Sequence, residues 1–167
     1  MLVPHAMIEL GRVLPCLGQK YVRRSAAMNL IPQKSTLYLP REREKIEPHQ
    51  LADIFTKSGI RRPVDDLPRL KKMLDNANIL VTAWDGPKLV GVARGMTDYS
   101  FCCYLSDLAV DKEYQAQGIG QDLVNKVYDM IGPESMLLLL SSPESMDYYP
   151  KIGFEKVENG WIINRKR

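Results

Sequence analysis

The run Leu108-Ala-Val-Asp-Lys-Glu-Tyr-Gln-Ala-Gln-Gly-Ile-Gly-Gln-Asp-Leu123 joins an apolar, strand-like segment to a helix-like one through a short loop with two glycines. The first amides of a helix have no partner inside it, and the helix dipole favours negative charge there. Gly118 and Gly120 carry no side chain, so an anion can approach the backbone closely. The loop from Gln115 to Gly120 therefore reads as a candidate diphosphate cradle. A tight strand-to-helix turn with no ligand has the same local signature. Two other phosphate loops are excluded: there is no GxxxxGK[ST] lysine, and the third glycine of a dinucleotide fingerprint is replaced by Leu123.

Working outward, Ile119, Leu123, Val124, Val127 and Ile131 recur at helical spacing, which predicts a helix over 118–131. Met136 to Leu140 is a continuous apolar run and reads as a strand buried on both faces. Strand, helix and strand in this order imply a parallel pair with a right-handed crossover. Upstream, Ile79–Trp84, Lys88–Met96 and Phe101–Val110 read as an antiparallel meander, turned at Asp85-Gly86 and at Asp98–Ser100. Before it come a short strand at Thr36–Leu39 and two amphipathic helices. The first opens at Glu47-Pro48, carries Leu51, Ile54 and Phe55, and stops at Gly59. The second is capped by Asp65 or Asp66 and carries Leu67, Leu70, Met73 and Leu74. Downstream, a short helix is predicted over Glu144–Lys151. Two terminal strands follow, Phe154–Val157 and Trp161–Asn164, turned at Asn159-Gly160. The fold class is α+β, a mixed and mostly antiparallel sheet, in one domain over residues 35–167.

The first residues carry Arg12, Lys20, Arg23 and Arg24 with Glu9 as the only acid, a charge balance shared with transit peptides. One serine and no clean amphipathic repeat argue against that reading. This stretch is expected to be a poorly ordered leader or an extended start upstream of Met28. The net charge of +3 is too small to point to nucleic acid, and no run is long enough for a membrane span. The cysteines, Cys16, Cys102 and Cys103, are odd in number and two are adjacent, so they are not a disulfide framework; reduced thiols and a cytoplasmic protein are expected. His5 and His49 have no ligand-like spacing to them, so no metal site is expected.

Gln115-x-x-Gly118-x-Gly120, preceded by Leu108-Ala-Val and Asp111, resembles the pyrophosphate motif of the GNAT acetyltransferases, Q/R-x-x-G-x-G/A. Tyr148-Tyr149-Pro-Lys-Ile-Gly153-Phe154 resembles that family's later FY-x-x-x-GF signature. The two motifs stand in order with the expected elements between them, and the match covers roughly Leu80 to Phe154. A weaker resemblance, over ARGMTDYSF…DLAVDKEYQAQGIG, is to the plastid serotonin N-acetyltransferase-like branch.

The resemblance implies the GNAT fold, with helices on both faces of the sheet. The strand ending at Val110 and the strand Met136–Leu140 would splay apart. Acetyl-CoA would be the co-substrate. Its pantetheine arm would pair with Leu108, Ala109 and Val110, and the amide of Leu108 or Ala109 would polarise the thioester. The diphosphate would sit on amides of Gln115, Ala116, Gln117, Gly118, Ile119, Gly120 and Gln121. Ser142, where the family often has Asn, would donate one hydrogen bond to the arm. Tyr149 would protonate the leaving thiolate, being neutral at pH 7; Tyr148 reads as core. Asp107, an acid amid apolar strand residues, is a candidate base or amine-orienting group, with a salt bridge as the alternative reading. Tyr104, taken to lie on the opposite strand face, is the alternative base-side residue, and Asp98 and Arg94 could line the acceptor site. Arg61 and Arg62 read as solvated loop charges. The activity implied is direct acetyl transfer to a primary amine in a ternary complex, to a small or aryl-alkyl amine in preference to a protein. No nucleic-acid or membrane partner is implied, and the oligomeric state is open between monomer and homodimer. The rival reading is a catalytically silent acyl-CoA-binding module on the same fold.

Overall fold

The computed structural model describes residues 38–42 and 46–166. The leader expected over 1–34 lies outside them. The elements run β1 (Tyr38–Glu42), α1 (Pro48–Ser58), α2 (Leu67–Asp75), β2 (Ile79–Asp85), β3 (Lys88–Thr97), β4 (Cys102–Val110), α3 (Ile119–Ile131) and β5 (Met136–Leu139). The sheet order follows the sequence, β1-β2-β3-β4-β5. The first four strands are antiparallel and β5 is parallel to β4, as the helix between them requires.

Local chemistry sets the helix ends. The Glu47 N–H donates to Gln50 Oε1 at 2.8 Å, and Pro48 occupies the first turn of α1. The Asp66 carboxylate accepts from the Arg69 N–H at 2.9 Å and caps α2.

The sheet separates two apolar clusters. Ile79, Val81, Ala83, Val90 and Ala93 pack under α3 with Leu123, Val124 and Val127. Trp84, Leu89 and Val92 pack on the other face with Leu51, Ile54, Phe55 and Leu70 of α1 and α2. Helices thus cover both faces, as expected.

Two bulges break the meander's regularity: Val90 is extra in β3, between the Ala83–Gly91 and Trp84–Leu89 pairs, and the second lies in β4. Arg94 pairs with Asp107 but Gly95 pairs with Leu105, which leaves Ser106 as an extra residue in β4. Gly95 is required there, since a Cβ would stand 2.8 Å from the Tyr104 carbonyl oxygen. The bulge reverses the facing of the strand. Cys103 and Leu105 belong to the α3 cluster, whereas Ala109, at the same parity, belongs to the α1/α2 cluster.

Several expected elements differ. The helix predicted over Glu144–Lys151 is two 3₁₀ turns, Pro143–Ser145 and Tyr149–Ile152, with Pro150 interrupting the run. β5 is not buried on both faces. Leu137 and Leu139 pack toward α3, but Met136 and Leu140 are exposed, and among the described residues β4 is its only strand partner. The two terminal strands do not form: the described residues from Glu155 onward are exposed and belong to no strand or helix. Of the first strand expected over Thr36–Leu39, Tyr38 and Leu39 lie in β1; Thr36 and Leu37 lie outside the described residues.

Candidate active site

Pairing between β4 and β5 ends at Leu105–Leu139, immediately before the bulge, while β4 runs on to Val110. Along Ser106–Val110 that edge of β4 faces a gap in the ladder, with no strand partner among the described residues. The backbone direction inside it follows from one bond. The Asp111 N–H donates to the Val90 carbonyl at 2.9 Å, toward β3. Strand alternation then turns the N–H and C=O of Ala109 toward β3, and those of Leu108 and Val110 toward the gap. Of the three residues expected to pair with a pantetheine arm, Leu108 and Val110 face the gap. Ala109 does not: its backbone serves β3 and its side chain is buried under α1 and α2. The Val110 carbonyl already accepts from Gln115 Nε2 at 2.9 Å, so Gln115 closes the far end through its side chain.

The loop after β4 is fixed from behind. Asp111 Oδ1 accepts from the Glu113 N–H at 3.0 Å, and its Oδ2 lies 3.1 Å from Lys88 Nζ. Lys88 also reaches Glu113 at 3.1 Å and stands 4.6 Å above the Tyr114 ring, whose hydroxyl donates to Asp85 at 2.7 Å. Burial pushes the Asp111 carboxyl up, but the Glu113 amide and the Lys88 ammonium together hold it below the ordinary range. The hydrogen bond to Asp111 raises Lys88 above its usual value.

The chain then takes left-handed conformations at Ala116 (φ 60°) and Gly118 (φ 90°) and enters α3. A Cβ at Gly118 would meet nothing within 4 Å, so glycine is needed there for the conformation and not for space. The Gln117 side chain donates to the Glu113 carbonyl at 3.2 Å. The Asp122 N–H makes the first bond of α3, to the Gly118 carbonyl at 3.0 Å. The amides of Ile119, Gly120 and Gln121 thus precede the helical ladder at its positive end. The Ile119 side chain is core; only its amide belongs to the loop.

Gly120 is bound to the second motif. A Cβ there would lie 2.5 Å from the Tyr148 hydroxyl oxygen. Tyr148 was expected in the core; it is half-buried with its phenol tip against the start of α3. The available signal was a tyrosine where the motif carries phenylalanine. Tyr149 stacks edge-on against Tyr148 at 5.4 Å and against Phe154 at 5.5 Å. Burial raises the Tyr149 phenol above its ordinary value, with the Arg62 guanidinium opposing. Tyr149 is therefore neutral at pH 7 and able to donate. Ser142, exposed after β5, donates to the Ser145 hydroxyl at 3.2 Å.

Asp107 is not a free carboxylate. Arg62 Nε donates to its Oδ1 and Arg94 Nε to its Oδ2, both at 2.5 Å, and the Asp107 side chain is wholly buried. Arg62 also donates to the Ser106 carbonyl at 2.8 Å, and Arg94 to the Ser106 hydroxyl at 3.0 Å and the Met73 carbonyl at 3.2 Å. A carboxylate with both oxygens held by guanidiniums has the geometry of an anchor. The salt-bridge alternative is the one this geometry favours. Arg94, expected to line an acceptor site, is buried in the same cluster. Arg62, read as a solvated charge, ties the α1–α2 loop to the bulge; adjacent Arg61 is exposed and stands 3.9 Å from Glu144. The bulge also corrects Tyr104: alternation from Cys103 and Leu105 puts it on the α1/α2 face, the same face as Asp107. Asp98 is a turn residue. Its Oδ1 accepts from the amides of Ser100, Phe101 and Cys102, which hold its pKa at about 2.

Residues 52–162 match the family model described as an acetyltransferase (GNAT) domain. The chain belongs to the GNAT acetyltransferases. This GNAT domain is 35% identical over 75 residues to the chloroplastic GCN5-related N-acetyltransferase 2 of Arabidopsis thaliana; the match covers 44% of this chain and 29% of that protein. Among solved structures it resembles a probable acetyltransferase of Staphylococcus aureus, with TM-score 0.67 and 22% identity over 77% of this chain and all of that one. It also resembles the aminoglycoside N-acetyltransferase AAC(6')-Iy, solved in complex with CoA, with TM-score 0.62 and 16% identity over 83% of this chain and all of that one. These two likenesses concern the fold. Among the described residues no group of side chains could hold a metal ion, and no helix is long and apolar enough to cross a membrane.

Proposed function

We propose that this GNAT-type acyltransferase moves the acetyl group of acetyl-CoA to a primary amine by direct attack in a ternary complex. One observation carries the reading. The gap beside Leu108 and Val110 opens at the point where the amides of Ile119, Gly120 and Gln121 stand without helical partners. An extended thioester arm suits the gap, and a diphosphate suits the amides. The residues fit the co-substrate: Gly118 supplies the φ the loop needs, and Gly120 leaves room for the Tyr148 hydroxyl. Ser142 borders the other side of the gap as a hydrogen-bond donor.

In the reaction a bond forms between the amine nitrogen and the acetyl carbon, and the carbon–sulfur bond breaks. The amine nitrogen gives up one proton to solvent water and the departing thiolate takes one from Tyr149. The Leu108 N–H, facing the gap, donates to the thioester oxygen as charge grows there. Tyr149 donates its proton to the sulfur. Asp107 positions: with Arg62 and Arg94 it fixes the bulge that opens the gap, and the amine attacks as its free base. Tyr104, on the acceptor-side face, borders the amine. The acceptor is a small or aryl-alkyl amine, and neither nucleic acid nor membrane takes part. The thiols of Cys102 and Cys103 are unpaired, in keeping with a reducing compartment such as the cytoplasm.

The test is release of CoA thiol from acetyl-CoA over a panel of amines, with wild type and Tyr149→Phe. Loss of a general acid lowers kcat by roughly 10²-fold or more. Tight CoA binding without acetylation of any amine, and a variant indistinguishable from wild type, would establish the silent acyl-CoA-binding module instead.

A further inference from the structure

Arg62 stands where the backbone of β4 meets the gap. The Asp107 N–H is turned toward β3, like those of Ala109 and Asp111, so the Ser106 carbonyl on the other side of the same peptide faces the gap. Arg62 Nη2 donates to that carbonyl at 2.8 Å, which holds the guanidinium against the gap's edge. The Leu108 N–H lies on the same edge two residues on, roughly 6.5 Å along the strand. The Arg62 charge also reaches the Tyr149 phenol, where it opposes the rise that burial causes. The guanidinium is thus close to both groups that would act on the thioester.

Neither its donors nor its charge are fully used. A guanidinium carries five N–H groups. The Nε–H goes to Asp107, one Nη1–H to the Arg61 carbonyl and one Nη2–H to the Ser106 carbonyl. Among the described residues, one N–H on each terminal nitrogen is left over. Asp107 carries one negative charge between two guanidiniums. The Arg94 side chain is 6% exposed and that of Arg62 is 27% exposed, so the surplus positive charge is presented at Arg62. The exposed Glu144 carboxylate, 3.9 Å from Arg61, offsets the charge of that neighbour instead. A guanidinium fixed on one side by three bonds and open on the other suits an oxyanion.

We propose that the acceptor is an amine that also carries a carboxylate, an α-amino acid by class, and that Arg62 is the residue that reads the carboxylate. The inference rests on the acetyl-transfer reading above and narrows it: the small or aryl-alkyl amine bears an acid group. Spacing supports the class. An α-amino acid holds its carboxylate one carbon from its amine, so a carboxylate on Arg62 leaves the amine within the short span between Ser106 and Leu108. Charge supports it too. An acceptor with a second ammonium in place of the acid meets like charge at Arg62 and is disfavoured.

The experiment measures kcat/KM at saturating acetyl-CoA over matched sets: each amino acid with a primary amine, its primary amide, and its decarboxylated amine. The amide also stands in for a peptide N-terminus. In the preferred set the acid should exceed both partners by about tenfold or more, the worth of a hydrogen bond between charged groups. Arg62→Lys, which keeps a counter-charge for Asp107, should lose most of that preference, and Arg62→Gln should lose all of it. Melting curves show whether each variant folds; should Arg62→Gln fail to, Arg62→Lys and the wild-type ratios decide. Without turnover, the preferred amino acid should raise the melting temperature of the wild type in the presence of CoA, and its amide should not. Equal or better use of the amide or the decarboxylated amine overturns the proposal and leaves acetyl transfer standing. An acid preference undiminished in folded Arg62 variants overturns it too, since another group would then read the carboxylate. Acetyl-CoA binding with no amine of any set acetylated overturns both readings.

Discussion

Replacing Gly120 by alanine tests how the two motifs are joined. The added Cβ falls 2.5 Å from the Tyr148 oxygen, about 1 Å short of an ordinary contact. Backbone conformation adds no cost, because Gly120 is not among the glycines with positive φ. The strain must go into Tyr148, which cannot move freely because its ring stacks on Tyr149 at 5.4 Å. Overpacking of this kind costs about 1–3 kcal/mol. Part should appear as lost stability and part as weaker acetyl-CoA binding, up to roughly tenfold for each 1.4 kcal/mol. The decisive measurement is rescue. With Tyr148→Phe the clashing oxygen is gone, and the ring carbon Cζ at 3.4 Å becomes the nearest neighbour, an ordinary contact. The double variant should regain most of the melting temperature and most of the KM for acetyl-CoA, a coupling of about 0.5–3 kcal/mol in a double-mutant cycle. If Gly120→Ala alone behaves as wild type, or if Tyr148→Phe fails to rescue it, the link between the α3 entrance and the tyrosine pair is wrong.

Gly118→Ala should cost about 1 kcal/mol in urea unfolding, all of it conformational, since φ is 90° and the space beside it is open. Asp107→Asn should destabilise the fold by about 3 kcal/mol or more, because it leaves two guanidiniums without their counter-charge; a variant as stable as wild type but inactive would return Asp107 to the role of base. Thiol labelling at pH 8 should modify exposed Cys102 and spare Cys103, whose pKa burial pushes to about 11; equal labelling of both would refute the buried thiol. Asp98, held at about 2 by three amides, has a folded pKa below its unfolded value near 3.9. Its contribution is therefore present above about pH 4 and lost as pH falls through 2, and Asp98→Asn should flatten the acid limb of a stability profile in that window.

The elements most legible in the sequence were those whose signal is local. A hairpin forms where Asp85-Gly86 predicts one, although Asp85 pairs with Lys88 and the two turn residues are Gly86 and Pro87; Pro48 and Gly59 bounded a helix, and the spacing of Ile119, Leu123 and Val127 gave α3 its buried face. The loop that enters α3 was legible for the same reason, since a helix entrance with glycines is a short-range feature. The facing of β4 was not. Alternation counted from Phe101 to Val110 puts Tyr104 and Asp107 on opposite faces, and only the pairing with β3 reveals the extra residue at Ser106. The fate of Asp107 was hidden likewise, because its partner Arg62 lies 45 positions away in a loop that reads as solvated. The terminal segment misled in another way: Trp161-Ile-Ile has strand chemistry, but its residues stand exposed and pair with none of the described strands.

The bulge at Ser106 gathers these separate facts into one device. A single extra residue ends the pairing with β5 after Leu105 and turns Asp107 toward α1 and α2, where Arg62 and Arg94 hold it. It also directs Leu108 and Val110 into the gap beside the entrance of α3. A bulge is ordinarily a weak point in a ladder, since one residue goes unpaired. Here its costs are offset locally: both the carbonyl and the hydroxyl of Ser106 accept hydrogen bonds from the arginines that also clamp Asp107. The buried ion cluster is then best understood as stabilising an irregular backbone that the gap requires, and not as part of proton transfer. Residues that never touch acetyl-CoA would thereby decide whether the thioester has a place to lie.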